Sequence, residues 1–461
     1  MGATTAARVN ESAPTALVRG IGLRGAVAMN AITMIGIGPL ITIPLVLGAL
    51  HGPLSLVGWL LGALLALCDG LVWAELGSAF PRSGGTYGYL LECFRGLRVG
   101  PVLAFLFVWQ MMFVAPLTLA SGYIGFANYA GYFFPHLAAS PLALKAVAIA
   151  IGIVTLVALY RGINAIARTG IWLAAAAVLT LLVTIAAGFA HWSPHLAGAL
   201  PTGDSFWNGL RAGLGQALVI AMYDYLGYNQ ANYLGDEVRT PAKTLPRGIV
   251  IAIALVATLY IALQVGVLGA IPWQRIIPLA DGSLPPIAQH LASTMVERSF
   301  GTGAAGAVTL LVLVTAFASV YGNLLGASRI PYAAASDGNF LPAFAHVHAR
   351  YRFPDVALLA IGLLALVASL FTLDQVINAL TTGIVLIQSI AQIAALFVLR
   401  ARGVTAPYRM WLFPLPALLA LAGWIYVFCS AGGAAIFFGL ATLLVGLLAY
   451  ALMRRAWHPT R

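Results

Sequence analysis

From about residue 21 onward the chain is a succession of long apolar runs separated by short polar punctuation. A bilayer core takes about 20 mainly apolar residues per helix. Twelve stretches reach that scale: 24–50, 54–79, 100–130, 141–160, 165–190, 207–235, 247–270, 302–326, 355–373, 376–399, 411–429 and 432–453. Membrane β-strands are about ten residues long and alternate in polarity. These runs are longer and continuously apolar, so the pattern predicts an all-α polytopic membrane protein with 12 transmembrane helices. The widest gap, 271–301, contains Pro272, Pro278, Pro285 and Pro286, and has room for a short helix or two but not for a folded domain. Beyond Pro81-Arg82, Gly84-Gly85 opens a stretch from Thr86 to Leu97 that is expected to lie along the membrane interface as a helix.

Composition narrows the class further. Of the 461 residues, 61% are hydrophobic and 8% are charged, against about 25% charged in a soluble domain. That balance excludes a soluble enzyme, a disordered chain and a disulfide-rich scaffold. The net charge of +11 does not form a basic stripe with interleaved aromatics, so the expected partner is the lipid bilayer and not nucleic acid. With the N-terminus inside, 20 of the 24 Lys and Arg residues fall on the cytoplasmic side; only Lys145, Arg211, Arg275 and Arg298 fall outside. Basic residues favour cytoplasmic loops, so both termini are expected in the cytoplasm, with the chain multi-pass in the plasma (inner) membrane. The first 20 residues carry no apolar core of a signal peptide, and targeting is expected from the first span.

Metal and enzyme chemistry find little support. Cys68, Cys93 and Cys429 form no C-x-x-C pair, which predicts neither a disulfide framework nor a metal site. The eight histidines fall in loops or at helix ends, and no H-E-x-x-H or Walker motif occurs. A membrane-embedded enzyme is therefore the disfavoured alternative, and no cofactor is expected.

Two apolar stretches are interrupted. The first contains Gly36-Ile37-Gly38-Pro39 near its middle. Proline lacks an N–H and its ring clashes with the carbonyl four residues back. Backbone freed at that depth must face protein or a water-filled cavity, because lipid cannot satisfy it. The sixth stretch contains Tyr223-Asp224-Tyr225-Leu226-Gly227-Tyr228-Asn229-Gln230, a polar and aromatic interruption around Gly227. Breaks at corresponding places in two halves point to a transporter site built from inverted repeats. Three carboxylates lie inside apolar stretches, Asp69, Glu75 and Asp224, and each is costly enough to be a functional candidate. Asp224 beside the second break can take a substrate ammonium, carry a proton, or be satisfied by freed backbone N–H groups. Asp69 is a possible proton or cation site or one half of a structural pair. Glu75, near the cytoplasmic end with Arg82 not far away, reads as structural.

Four motifs now fall in order. Ile35-Gly36-Ile37-Gly38 resembles the G-x-G of the amino acid–polyamine–organocation (APC) transporters. Ala74-Glu75-Leu76 through Phe80-Pro81 to Gly84-Gly85-Thr86-Tyr87 is similar to that family's A-E-L…F-P-x-x-G-G-x-Y. Asp236-Glu237-Val238 through Pro241, Thr244 and Pro246-Arg247 resembles its loop after the sixth helix, and Ser328-Arg329 through Tyr332-Ala333 to Asp337-Gly338 its loop after the eighth.

The resemblance implies a LeuT-like 5+5 inverted repeat plus two C-terminal helices. It divides the chain into a tail 1–22, repeats 23–195 and 205–403, a closing pair of helices over 409–453, and a tail 454–461. It implies a permease for amino acids or polyamines that works by alternating access. A transporter-like sensor without transport stands as the alternative. The substrate carboxylate is expected on the backbone of Gly36, Ile37 and Gly38, where a helix N-terminus adds partial positive charge. The amino group is expected near Tyr223, Asp224, Leu226, Gly227 and Asn229.

Departures from the family pattern matter too. Cys68-Asp69-Gly70-Leu71 through Glu75 resembles a polyamine-uptake motif with Asp69 replacing Glu. Asn229 stands where that branch often shows Asp. Pro39 removes one backbone donor, which favours an amine without a carboxylate. Ala177 stands where some members carry a sodium-mimicking Lys, leaving the coupling ion, H+ or Na+, open.

Overall fold

The computed structural model describes residues 21–82, 84–160, 164–198, 200–235, 238–280, 282–349 and 353–457. Both chain ends, the motif residues Ser83, Asp236 and Glu237, and the basic residues Arg161, Arg350 and Arg352 lie outside these. Among the described residues the fold is helical, apart from turns and one isolated parallel bridge between Ile21 and Val238.

The helices run in order α1 (Leu23–Met34), α2 (Gly38–Leu50), α3 (Ser55–Ala79), α4 (Thr86–Cys93), α5 (Val99–Ala130), α6 (Pro135–Ala138), α7 (Pro141–Leu159), α8 (Asn164–Ala190), α9 (Pro194–Ala197), α10 (Gly203–Tyr225), α11 (Pro241–Ala270), α12 (Pro286–Gln289), α13 (Leu291–Ala327), α14 (Arg329–Ser336), α15 (Asp355–Ala368), α16 (Leu373–Ile384), α17 (Gln392–Ala401), α18 (Leu415–Ser430) and α19 (Gly433–Trp457). A π-helical segment, Val385–Ala391, joins α16 to α17.

Among the described residues seven spans are long and apolar enough to cross a bilayer, and eight if the bent pair α1–α2 counts as one. Residues 175–190 of α8, together with α15 and α18, are apolar but shorter. This is fewer than the twelve read from the pattern. α10 carries Asp204, Arg211 and Asp224, and α15 stops early because Thr372 starts a new helix. Its Oγ1 accepts from Gln375 N at 3.4 Å, and its N–H donates to Gln375 Oε1 at 3.2 Å. That reciprocal pair is a capping box. The eighth stretch begins before 302, since helical residues continue back to Leu291 across a kink at Gly301, where φ is +84°.

The packing joins helices far apart in the sequence. α3 lies on α11, α5 on α13 and α7 on α15, while α8 packs on α13 and α16 on α5. α2 packs on α10 through Gly213, where an added Cβ would run into the carbonyl of Ala49. A Cβ on Gly188 of α8 would come within 2.8 Å of Gly266 Cα on α11. Small residues bring membrane helices together in this way. α19 is outermost and leaves Phe437, Leu444 and Leu452 exposed, as suits a lipid-facing helix.

One end of the bundle is locked by a buried ion pair. Arg400 on α17 donates through Nε to Glu75 Oε1 at 2.8 Å and through Nη2 to Oε2 at 2.6 Å, a two-pronged pairing. Met410 N adds a third donor to Oε2 at 2.7 Å, and the guanidinium lies 4.1 Å over the ring of Phe413. The partner of Glu75 is thus Arg400 and not Arg82, which points outward to Glu92 at 3.7 Å. The expected interfacial helix after Gly84-Gly85 is α4, with Tyr87, Tyr89 and Leu90 buried.

Candidate functional site in the broken helices

The first span breaks where its sequence weakens it. α1 ends at Met34, Ile35 caps it by donating to Ala31 O at 2.7 Å, and α2 starts at Gly38 with Pro39 in its first turn. Proline is tolerated there because the first N–H groups of a helix have no partner within it. The two halves bend by 51°.

The second break comes after Tyr225. Leu226 turns to an extended conformation, and Gly227 takes φ +114°, a value that glycine adopts without strain. A Cβ on Gly227 would sit 3.0 Å from the carbonyl carbon of Thr33, so the two breaks press against one another there. Asn30 Oδ1 on α1 accepts from Ala231 N at 2.8 Å and steadies the adjoining 3-10 turn Gln230–Tyr233.

A cavity of about 140 Å³ lies between the breaks. It brings together Gly36, Ile37, Gly38, Tyr223, Asp224, Leu226, Gly227 and Asn229, all eight positions read as substrate-binding. Asp224 stands against the start of α2. Its Oδ2 accepts from Thr42 Oγ1 at 2.5 Å, and its Oδ1 is buried without a hydrogen-bond partner. A Cβ on Gly38 would collide with Oδ1. Tyr223 donates to Ser121 Oγ on α5 at 2.8 Å. Tyr260 of α11 donates to Met34 O at 2.7 Å and lies 3.2 Å from Asp224 O, so one hydroxyl serves both broken helix ends.

Asp69 lies elsewhere. Its Oδ2 accepts from Tyr228 at 2.6 Å and its Oδ1 from Trp424 Nε1 of α18 at 3.0 Å, and it does not line the cavity. Both carboxylate oxygens are filled, in contrast to Asp224. Among the described residues no group of three His, Cys, Asp or Glu comes close enough to hold a metal.

Thr42, Ser121, Ser319, Asn323, Gln388 and Tyr260 were not singled out from the sequence. Their signal is faint: each is one polar group in an apolar run. Thr42 lies one turn past Pro39, and Ser319 and Asn323 lie four residues apart on one face of α13.

Discontinuous helices around a buried cavity, in an all-helical apolar bundle, define a membrane transporter of the broken-helix class. The chain belongs to the amino acid permeases of the APC family, whose model matches residues 21–452. It is similar to the serine/threonine exchanger SteT of Bacillus subtilis (strain 168), with 28% identity over 425 residues, 90% of this chain and 91% of that protein. It is also similar to the branched-chain amino acid permease BcaP of the same organism, 25% identical over 451 residues and 92% of each chain. The human cystine/glutamate transporter shares 28% identity over 374 residues, 80% of this chain and 71% of its own. Its family makes the chain an integral multi-pass membrane protein and a transporter, not an enzyme.

Proposed function

We propose that the chain is a secondary transporter that carries amino acids, or amines related to them such as polyamines, across the plasma membrane by alternating access. The observation that carries this reading is the cavity between the two breaks, with the unpartnered Asp224 Oδ1 beside it. Relatives named as amino acid exchangers and permeases support the substrate class.

Twelve spans in two inverted five-helix repeats, 23–195 and 205–403, with helices at 409–453 added, are the architecture we infer. The matched packing of α3 with α11, α5 with α13 and α7 with α15 supports it, as does the reciprocal packing of α8 on α13 and α16 on α5. An inverted pair of repeats meets across such equivalent contacts. With both termini cytoplasmic, Ser319, Asn323 and Gln388 line the inner half of the cavity. On the opposite side Tyr129 of α5 donates to Leu40 O at 3.2 Å and accepts from Ala292 N at 3.2 Å, tying α2, α5 and α13 together. The conformation is therefore read as sealed on that side.

Flux into proteoliposomes tests the reading. Labelled amino acids and amines are offered with and without a trans substrate and with imposed H+ or Na+ gradients. Accumulation or counterflow of any of them supports transport. Binding without flux under every gradient removes it and leaves a sensor.

A further inference from the structure

The start of α2 already holds a carboxyl group, and that group is part of the protein. A helix N-terminus carries partial positive charge and draws negative groups. Here Asp224 supplies the carboxylate, with Thr42 of α2 donating to Oδ2 at 2.5 Å and Oδ1 set against Gly38. Pro39 removes one of the backbone donors that a second anion would use. A ligand carboxylate at this helix end would meet the Asp224 carboxylate, like charge against like. Among the described residues no Lys, Arg or His lines the cavity to offset that repulsion.

The same carboxylate is a ready partner for a cation. Asp224 lines the cavity and is 2% exposed, and its Oδ1 is buried without a hydrogen-bond partner. Intramembrane carboxylates are stabilised by an opposite charge. Among the described residues that line the cavity, Asp224 is the one acidic side chain. The other polar groups there are hydroxyls and amides, so a second ammonium would meet only neutral dipoles. Met111, Val114, Leu380 and Ile384 form an apolar wall on α5 and α16.

We propose that the site takes one organic ammonium with no carboxylate beside it: a monoamine with an apolar body, its nitrogen on Asp224 Oδ1. This deepens the transporter reading and rests on it for the passage of the bound amine across the membrane. It departs from the expectation that the backbone of Gly36–Gly38 receives a substrate carboxylate.

Matched ligands test it on the purified full-length chain, by titration calorimetry with thermal shift as a second readout. The sets are isobutylamine against valine, phenethylamine against phenylalanine, and butylamine against 1,4-diaminobutane. In each, the monoamine is expected to bind about tenfold or more tightly than its partner. Asp224→Asn is expected to lower monoamine affinity about ten- to a hundredfold, the range of a hydrogen bond to a charged group. Equal affinities, a preference for the amino acid or the diamine, or no binding by any member overturns the proposal. The wild-type comparison needs no variant, so a poorly folded Asp224→Asn leaves it decisive. Flux separates the two claims. Amino acid uptake without amine binding sinks this proposal and keeps the transporter, whereas amine binding without flux does the reverse.

Discussion

The hydroxyl of Tyr260 donates to the carbonyl oxygen of Met34 at 2.7 Å. That carbonyl is freed because α1 stops there, and the same hydroxyl reaches the carbonyl of Asp224 where α10 stops. Lipid cannot satisfy either group. Tyr260→Phe keeps the ring and strips the donor, leaving the Met34 carbonyl with Gly36 N alone, at 2.9 Å, and the Asp224 carbonyl without this contact, at a cost of about 0.5–1.5 kcal/mol. The expected result is a lower unfolding temperature in detergent and slower counterflow. An unchanged melt together with wild-type flux would show that the breaks do not depend on this hydroxyl.

Gly38 has no room for a side chain. A Cβ there meets Asp224 Oδ1 and comes within 3.3 Å of the Tyr223 ring. Gly38→Leu should abolish uptake while the chain still inserts, because the added bulk fills the space between the breaks. Membrane fractionation and uptake measured on the same preparation check both halves, and normal uptake would move the site elsewhere.

Asp69 and Asp224 should respond differently to loss of charge. Asp69 accepts from Tyr228 and Trp424 and ties α3 to α18 and to the segment after α10. In Asp69→Asn the amide nitrogen replaces one acceptor with a donor, setting it against one of those two groups. Stability should fall by about 1–3 kcal/mol, with ligand affinity within about threefold of wild type. A large affinity loss at constant stability would instead bring Asp69 into the binding site.

The Glu75–Arg400 pair offers a double-mutant cycle. Removing one partner of a buried ion pair costs about 3–5 kcal/mol, because the other charge is left buried and alone. Arg400→Leu should therefore destabilise strongly, and adding Glu75→Leu should recover part of the loss. Additive losses in thermal melts would mean that the two charges are not coupled.

Topology can be mapped with single cysteines and impermeant reagents. Residues 82–98, 236–247 and 328–354 should label from the cytoplasm and 271–301 from outside, in line with the distribution of Lys and Arg. Labelling of 236–247 from outside would overturn the inferred twelve-span arrangement.

Much of the candidate site was legible in the chain, and the reason is local. Gly36-Ile37-Gly38-Pro39 and the run around Gly227 break helices by their own backbone chemistry, so no tertiary context is needed to see them. The partners were not legible. Thr42 as the donor to Asp224, Arg400 as the mate of Glu75, and Trp424 as a mate of Asp69 lie 182, 325 and 355 positions away in sequence. Nothing in residue spacing encodes such meetings. Helix ends were blurred for another reason: the polar run Glu297-Arg298-Ser299 masks the helix that precedes Gly301, and the apolar Leu370 and Phe371 carry the ninth stretch past the end of α15.

The π-helical turn Val385–Ala391 sets the phase of everything after it. A π turn holds more residues than an α turn, so it works as a spacer in the chain's angular count. Drawing the segment into a regular α-helix at its present length would turn the residues beyond it by roughly 100° at 3.6 residues per turn. Gln392, which accepts from Thr86, and Arg400, which grips Glu75, would rotate off their partners together. The wide turn of this short segment is thus constrained even where its side chains are not. Substitutions along Val385–Ala391 can be absorbed one at a time, but losing the wide turn at constant length is felt at both ends of α17.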